Sequence, residues 1–193
     1  MDGIYTDEHE KYQIDLRKTL WSTDALHKVY ADIGNELSDV DWIAETENVS
    51  VLIEIKDATF LNQGNLNICT CEKPICKICN NPVKTKKVSN YAEFLNTACK
   101  KYYGGAFYLL SIGKIKPINY YYIVDNPTMD RRLRGKATAS IKKRLPHSLQ
   151  EKIPAVTKLL NEFEVISIEE WNEKYPMFPL AEMKKTSSNT ISP

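Results

Sequence analysis

Residues Ser38–Ala58 read SDVDWIAETENVSVLIEIKDA, two apolar runs joined through Thr46-Glu47-Asn48, with charge at every second position in part of each run. Side chains alternate across a strand, so Glu54 and Lys56 share one face of the second run while Val51, Ile53 and Ile55 fill the other. Asp39 and Asp41 likewise oppose Val40, Trp42 and Ala44. The stretch predicts a hairpin with strands at 39–45 and 49–56, each with a charged side and a core side. With Glu47 and Asn48 as the turn, antiparallel pairing sets Asp41 opposite Glu54 and Asp39 opposite Lys56. A four-residue loop centred on the same bond gives the same register, and an odd-length loop shifts it by one. A longer turn brings Asp39 to the place of Asp41.

Two carboxylates facing each other across a hairpin repel, and they stay together only with positive charge between them. A divalent metal meets that need. Mg²⁺ takes carboxylate oxygens and keeps several waters, one of which becomes a nucleophile. A nearby lysine can orient or deprotonate that water and stabilise charge developing on a phosphate. Lys56 stands one strand repeat beyond Glu54, in reach of that task. The competing expectation is an ordinary half-exposed sheet in which Lys56 bridges to Asp39.

Outward from the hairpin, Leu26, Val29, Tyr30 and Ile33 recur at helical spacing after Ser22, Thr23 and Asp24 as caps, and Gly34 and Asn35 end that helix. A second helix is expected from Asn90, with Glu93 completing a capping box ahead of Tyr91, Phe94, Leu95, Ala98 and Tyr102. Gly104 and Gly105 are expected to break or bend it. AFYLLSI then reads as strand or buried helix, INYYYIVD as a strand, LQEKIPAVTKLLNEF as helical, and EVISI as a short strand before a Ser167/Glu170 capping box. The 193 residues, 42% of them hydrophobic, suit one domain over 1–181. A Cys-rich insertion at 62–88 and a polar, disordered tail at 182–193 complete the layout.

Asp41, Glu54, Ile55 and Lys56, with VLIEIKD as the apolar strand, resemble the PD-(D/E)XK nuclease superfamily, whose sites combine an Asp at one strand with Glu-x-Lys on the next. The resemblance covers Leu26 to about Asp125. It implies an α/β, restriction-endonuclease-like mixed β-sheet core flanked by helices, and Mg²⁺- or Mn²⁺-dependent hydrolysis of DNA. It implies Asp41 and Glu54 as metal ligands, the Ile55 carbonyl as a further ligand, and Lys56 acting on the attacking water. Val40 stands where the motif's name has proline. For the acidic residue that many members supply from the first helix, the candidates are Asp24, Asp32 and Glu36. Lys101, at the edge of the second helix's apolar face, is the candidate for that helix's polar contribution to the site.

Cys69, Cys71, Cys76 and Cys79 form C-x-C-x4-C-x2-C in a loop with few apolar residues, a pattern that suits a structural Zn²⁺, with an iron–sulfur cluster or free thiols as the alternatives. Cys99 falls beside the apolar face of the second helix and reads as core. Residues 1–57 carry a net charge of −9 and the remainder +10, an arrangement suited to cations at one site and polyanions at another surface. The basic part includes Arg131, Arg132, Arg134, Lys136, Lys142, Lys143 and Arg144, expected with Lys101 to contact nucleic-acid phosphates. Tyr120, Tyr121 and Tyr122 read as strand packing. His9, His27 and His147 are scattered, and no histidine-based mechanism is expected.

The N-terminal MDGIYTDEHEKYQ lacks the pattern of a signal peptide, so a cytoplasmic chain is expected, without membrane insertion. The favoured function is a Mg²⁺-dependent DNA endonuclease, as a homodimer or in a larger complex. The alternatives are a non-catalytic relative of that fold binding nucleic acid or a protein through its basic surface and zinc loop, and an unrelated α/β interaction protein.

Overall fold

The computed structural model describes residues 3–32, 38–57, 90–153 and 158–183. The four clustered cysteines, the 62–88 insertion, Glu36, Ile33 and nearly all of the predicted tail lie outside the described residues. A five-stranded mixed sheet forms the centre, with β3 (Trp21–Thr23), β4 (Trp42–Glu45), β5 (Ser50–Asp57), β6 (Ile118–Asp125) and β7 (Leu160–Ile166) side by side in that order. β3, β4 and β5 pair antiparallel, and β5, β6 and β7 pair parallel. A second sheet joins β1 (Ile4–Thr6), β2 (Tyr12–Asp15) and β8 (Leu180–Glu182). The helices are α1 (Leu26–Asp32), α2 (Asn90–Ser111), α3 (Arg131–Lys142), α4 (His147–Lys152) and α5 (Ile168–Lys174). No helix among the described residues is long and apolar enough to cross a membrane.

The hairpin register follows from the turn: the Thr46 N–H donates to the Val49 carbonyl at 2.9 Å, and Trp42 pairs with Ile53. Continuing that ladder by one residue sets Asp41 against Glu54, so the position of Asp39 in the site no longer arises. β4 begins at Trp42 rather than at Asp39.

Both faces of this sheet are covered, which corrects the expected charged side. Leu52, Tyr120, Tyr122, Phe163 and Val165 pack under α1, α2 and α3, with Leu26, Phe94, Ala98, Tyr102, Leu133 and Ile141. Trp42, Val51, Ile53, Ile55, Tyr121 and Ile123 pack on the other side against Tyr12, Ile14, Leu180, Trp171 and Phe178. Each fully buried side chain of this size contributes about 1.5–3 kcal/mol. Val40 belongs to the first cluster, apart from Trp42 and Ala44, because it precedes the strand. The tyrosines of β6 are core, as expected, and so is Cys99.

α2 does not break at its glycines. A Cβ at Gly104 would stand 1.9 Å from the Ser38 carbonyl oxygen, and one at Gly105 would stand 2.9 Å from the Leu52 methyls. Glycine here buys close approach of the helix to the hairpin, at a cost in helix propensity of about 1 kcal/mol each. AFYLLS is the last part of this helix, and Ile112 begins the turn after it.

LQEKIPAVTKLLNEF was expected to be helical; among its described residues, those up to Lys152 belong to α4 and Leu160 onward forms β7. The Gln150 side chain bonds both the Leu160 N–H and its carbonyl, so it pairs with the start of the strand. The Ser167/Glu170 capping box is present. Glu182, assigned by pattern to the tail, pairs with Tyr12 in β8.

Candidate active site

α2 runs antiparallel to β5, since it joins the end of β5 to the start of β6 on one face. Four helix residues advance about 6 Å and two strand residues about 6.6 Å. Gly105 over Leu52 therefore puts Lys101 over Glu54, the next residue on that face. The Lys101 Nζ lies 2.9 Å from Glu54 Oε2 and donates to the Asp39 carbonyl at 2.7 Å. Lys56 follows Glu54 on the strand, its Nζ 4.0 Å from Glu54 Oε1. Asp41 Oδ2 accepts from the Ile55 N–H at 2.7 Å, which fixes the carboxylate at the open end of β4.

Glu54 is fully buried, at 0% exposure, and neither carboxylate oxygen has a hydrogen-bond partner. The Lys101 amine is close enough to Oε2 for a charge pair. A buried charge in that condition is costly unless compensated. Burial, and then repulsion from Asp41, push the Glu54 carboxyl well above the usual carboxylate range, against the pull of Lys101. Burial also raises Asp41, opposed by Lys101 and the Ile55 N–H. Lys101 is raised: burial lowers it, but Glu54 and Asp41 together outweigh burial.

Asp41, Glu54, Lys56 and Lys101 are thus together, with Lys101 at the carboxylates rather than on a phosphate-facing surface. Asp39 turns away from Lys56, and its Oδ2 lies 2.8 Å from His27 Nδ1. A cleft of about 290 Å³ beside the pair is lined by Asp7, Glu8, Asp24, His27, Asp39, Asp41 and Lys101. Of the two first-helix candidates among the described residues, Asp24 lines this wall and Asp32 does not. Asp7, Glu8 and His27 were not among the expected site residues; the acidic N-terminal composition was a signal for Asp7 and Glu8, and His27 had none. Among the described residues, no group of three or more His, Cys, Asp and Glu side chains is gathered to hold a metal ion.

The basic helix divides along its length. α3 starts just after β6 ends and packs on β7, so Arg131 and Arg132, both exposed, lie beyond the C-terminal ends of the parallel strands, with Arg131 in a hollow beside Glu164, Glu170 and Lys174. Lys136 and Lys143 are exposed further along, and Arg144 lies beside α2, its carbonyl accepting from the Tyr103 hydroxyl at 3.2 Å. Arg134 is committed elsewhere: it pairs with Glu170 at 2.8 Å and donates to the Met129 carbonyl, so it is a structural clasp rather than a phosphate contact. Arg144 donates to Asn96 Oδ1 at 2.5 Å. Hollows of about 330 and 410 Å³ near Arg134 are not lined by Asp41, and Glu54, fully buried, lines neither of them nor the cleft at Asp41.

Comparison with protein-family models, with curated proteins and with solved structures finds no match to this chain. The reading of the site rests on its chemistry.

Proposed function

We propose that the chain is a divalent-metal-dependent nuclease of the restriction-endonuclease-like, PD-(D/E)XK type that hydrolyses DNA phosphodiester bonds. The observation that carries this reading is Glu54: a fully buried carboxylate with two unbonded oxygens, directly across the hairpin from Asp41. Ordinary sheet packing gives no reason to bury such a pair. Two hard oxygen donors beside a cleft that admits water fit Mg²⁺ or Mn²⁺, which commonly takes one or two carboxylates and fills its remaining positions with water and substrate oxygens. The Ile55 carbonyl is the further ligand in this reading. Bound there, such an ion supplies Lewis-acid stabilisation of the phosphate and a more acidic water.

The chain's own residues do the remainder. Lys56 reaches solvent, with its side chain 39% exposed, and orients the attacking water beside the phosphate. Lys101 holds Glu54 and the Asp39 carbonyl in place and keeps local charge balanced. Arg131 and Arg132, exposed at the start of α3, contact the DNA backbone, giving salt-sensitive binding without base readout. The cysteine loop at 69–79 holds a structural Zn²⁺ in the same reading, checked by metal analysis of the purified chain.

Plasmid cleavage in Mg²⁺ but not in EDTA, lost in Glu54→Ala and Lys56→Ala proteins that still fold, is the expected result. Undiminished cleavage in those variants rejects the site. A second reading has its own support, because Lys101 already offsets the charge of Glu54 without any metal. In that case the chain is a non-catalytic nucleic-acid-binding relative of the fold. Salt-dependent DNA binding with no Mn²⁺ binding at Asp41 and Glu54 favours it.

A further inference from the structure

Building on the nuclease reading above, we propose that His27 is a general acid in the hydrolysis, delivering the proton that the leaving oxygen takes up. The sequence offered no role for this residue; its placement does. It sits in the first turn of α1, where the Thr23 hydroxyl accepts the Ala25 N–H and starts the helix beside the hairpin. Its side chain is 62% exposed, so it is not a core histidine, and it lines the same cleft as Asp41 and Lys101.

The ring is held in a defined state. Nδ1 lies 2.8 Å from Asp39 Oδ2. A carboxylate only accepts hydrogen bonds, so Nδ1 carries the hydrogen and Nε2 is the nitrogen left to exchange a proton. The orienting group is itself anchored: the Asp39 carbonyl accepts from Lys101 Nζ at 2.7 Å, and that amine lies 2.9 Å from Glu54. A continuous set of contacts therefore runs from the imidazole to the buried carboxylate and sets its station relative to the reacting phosphate. A base oriented by a third group is the arrangement that proton-transfer catalysis requires.

His27 and Lys56 hold separate stations. His27 is on the cleft wall with Asp39 and Asp41, whereas Lys56 extends from β5 beside β6 and is not part of that wall. An in-line displacement places the attacking and leaving oxygens on opposite sides of phosphorus, so two proton-handling groups at separate stations suit it. The water oxygen forms a bond to phosphorus as the bond to the leaving oxygen breaks. The electron pair of the broken bond stays on the leaving oxygen, which takes the Nε2 proton. The proton released by the attacking water goes to solvent, and solvent reprotonates His27, so the net reaction is hydrolysis.

The test uses an oligonucleotide with sulfur in place of the leaving bridging oxygen at a mapped cleavage position, because a thiolate departs without a proton. His27→Ala is expected to slow cleavage of the ordinary DNA roughly 10²-fold while changing cleavage of the sulfur-substituted DNA less than about threefold. Asp39→Asn, which keeps the site's shape, is expected to show a smaller loss with the same rescue by sulfur. Circular dichroism of each variant reports folding. Equal loss on both substrates, or no loss on ordinary DNA, overturns the assignment while leaving the nuclease reading intact. Failure of the unsubstituted chain to cleave DNA overturns the nuclease reading, and this assignment with it.

Discussion

Two glutamates at opposite ends of one hairpin each face two lysines, and their chemistry is opposite. Glu45, closing β4 near the turn, bonds to Lys114 and, at 2.7 Å, to Lys116, so both of its oxygens are used. Lys114 also lies 4.6 Å from the centre of the Trp21 ring. Hydrogen bonds from Lys114 and then Lys116 hold Glu45 below the usual carboxylate range. Glu54 has Lys101 at 2.9 Å and Lys56 at 4.0 Å, but it is 0% exposed, lacks hydrogen bonds and has Asp41 beside it, and it shifts upward. The number of lysines is the same. What differs is burial and the neighbouring carboxylate: Glu54 is fully buried with Asp41 beside it, whereas the Glu45 side chain keeps 12% of its surface exposed. Glu45 is a finished structural clasp; Glu54 is a carboxylate with bonding capacity left over.

The largest contrast is expected in activity. If the chain is the nuclease proposed above, Glu54→Ala removes a ligand of an ion that would contribute several kcal/mol to the transition state, and Mg²⁺-dependent cleavage is expected to fall by roughly 10³-fold or more. Glu45→Ala at the far end of the same hairpin leaves the rate per folded molecule within about threefold, because structural loss away from the reacting atoms acts on the folded fraction. Cleavage rates normalised to the folded fraction measure both. A loss at Glu45 as large as that at Glu54 breaks the distinction.

Next in size is the stability of the metal-free chain. Lys101→Met leaves Glu54 without its nearest counter-charge and is expected to cost about 3 kcal/mol at pH 8 in urea unfolding. The loss shrinks toward pH 5, where Glu54 relieves the problem by taking a proton. Adding Glu54→Gln to Lys101→Met recovers most of it. Lys116→Met at the other clasp, where the side chain is 30% exposed and Lys114 remains, is expected to cost under about 1 kcal/mol. Glu45→Gln, which loosens both lysines, falls between them at about 1.5–3 kcal/mol, since hydrogen bonds to charged groups are of that size.

This contrast also separates what the sequence makes legible from what it hides. The hairpin, its register and the Asp41–Glu54 opposition follow from period-two alternation and a two-residue turn, both local. Burial of Glu54 does not, because alternation alone describes one covered face and cannot report that α2 covers the second. The only local trace of that cover is Gly104-Gly105, read as a helix break although its cause is contact with Ser38 and Leu52, far away in sequence. Lys101 stood at the edge of an apolar helical face, so its nearness to the site was legible, whereas its pairing with Glu54 depends on how α2 lies over β5. β1, β2 and β8 are three or four residues long and pair only through contacts distant along the chain, which leaves no periodic signal to find. The same holds for His27, whose partner Asp39 comes from a segment beyond α1.

The smallest effect is the most specific, since it has opposite signs at the two glutamates. A carboxyl raised in the folded state holds its proton over a range where the unfolded chain has lost it. Stability of the metal-free chain therefore falls as pH rises from about 4.5 through the elevated Glu54 value, with a slope of at most about 1.4 kcal/mol per pH unit for one proton. Glu45, lowered by its lysines, works the other way: its contribution is complete above about 4.5 and is lost as pH falls through the depressed folded value. Urea midpoints between pH 3 and pH 8 should then show Glu54→Gln flattening the decline on the alkaline side and Glu45→Gln flattening the decline on the acid side. Mn²⁺ should flatten the alkaline decline of the unsubstituted chain without substitution, because a bound cation favours the ionised Glu54 as pH rises, and it should not alter the acid limb set by Glu45. Asp41 is raised as well, so a smaller decline remains in Glu54→Gln; an alkaline decline as steep as that of the unsubstituted chain assigns the titration to another group and leaves Glu54 no different in kind from Glu45.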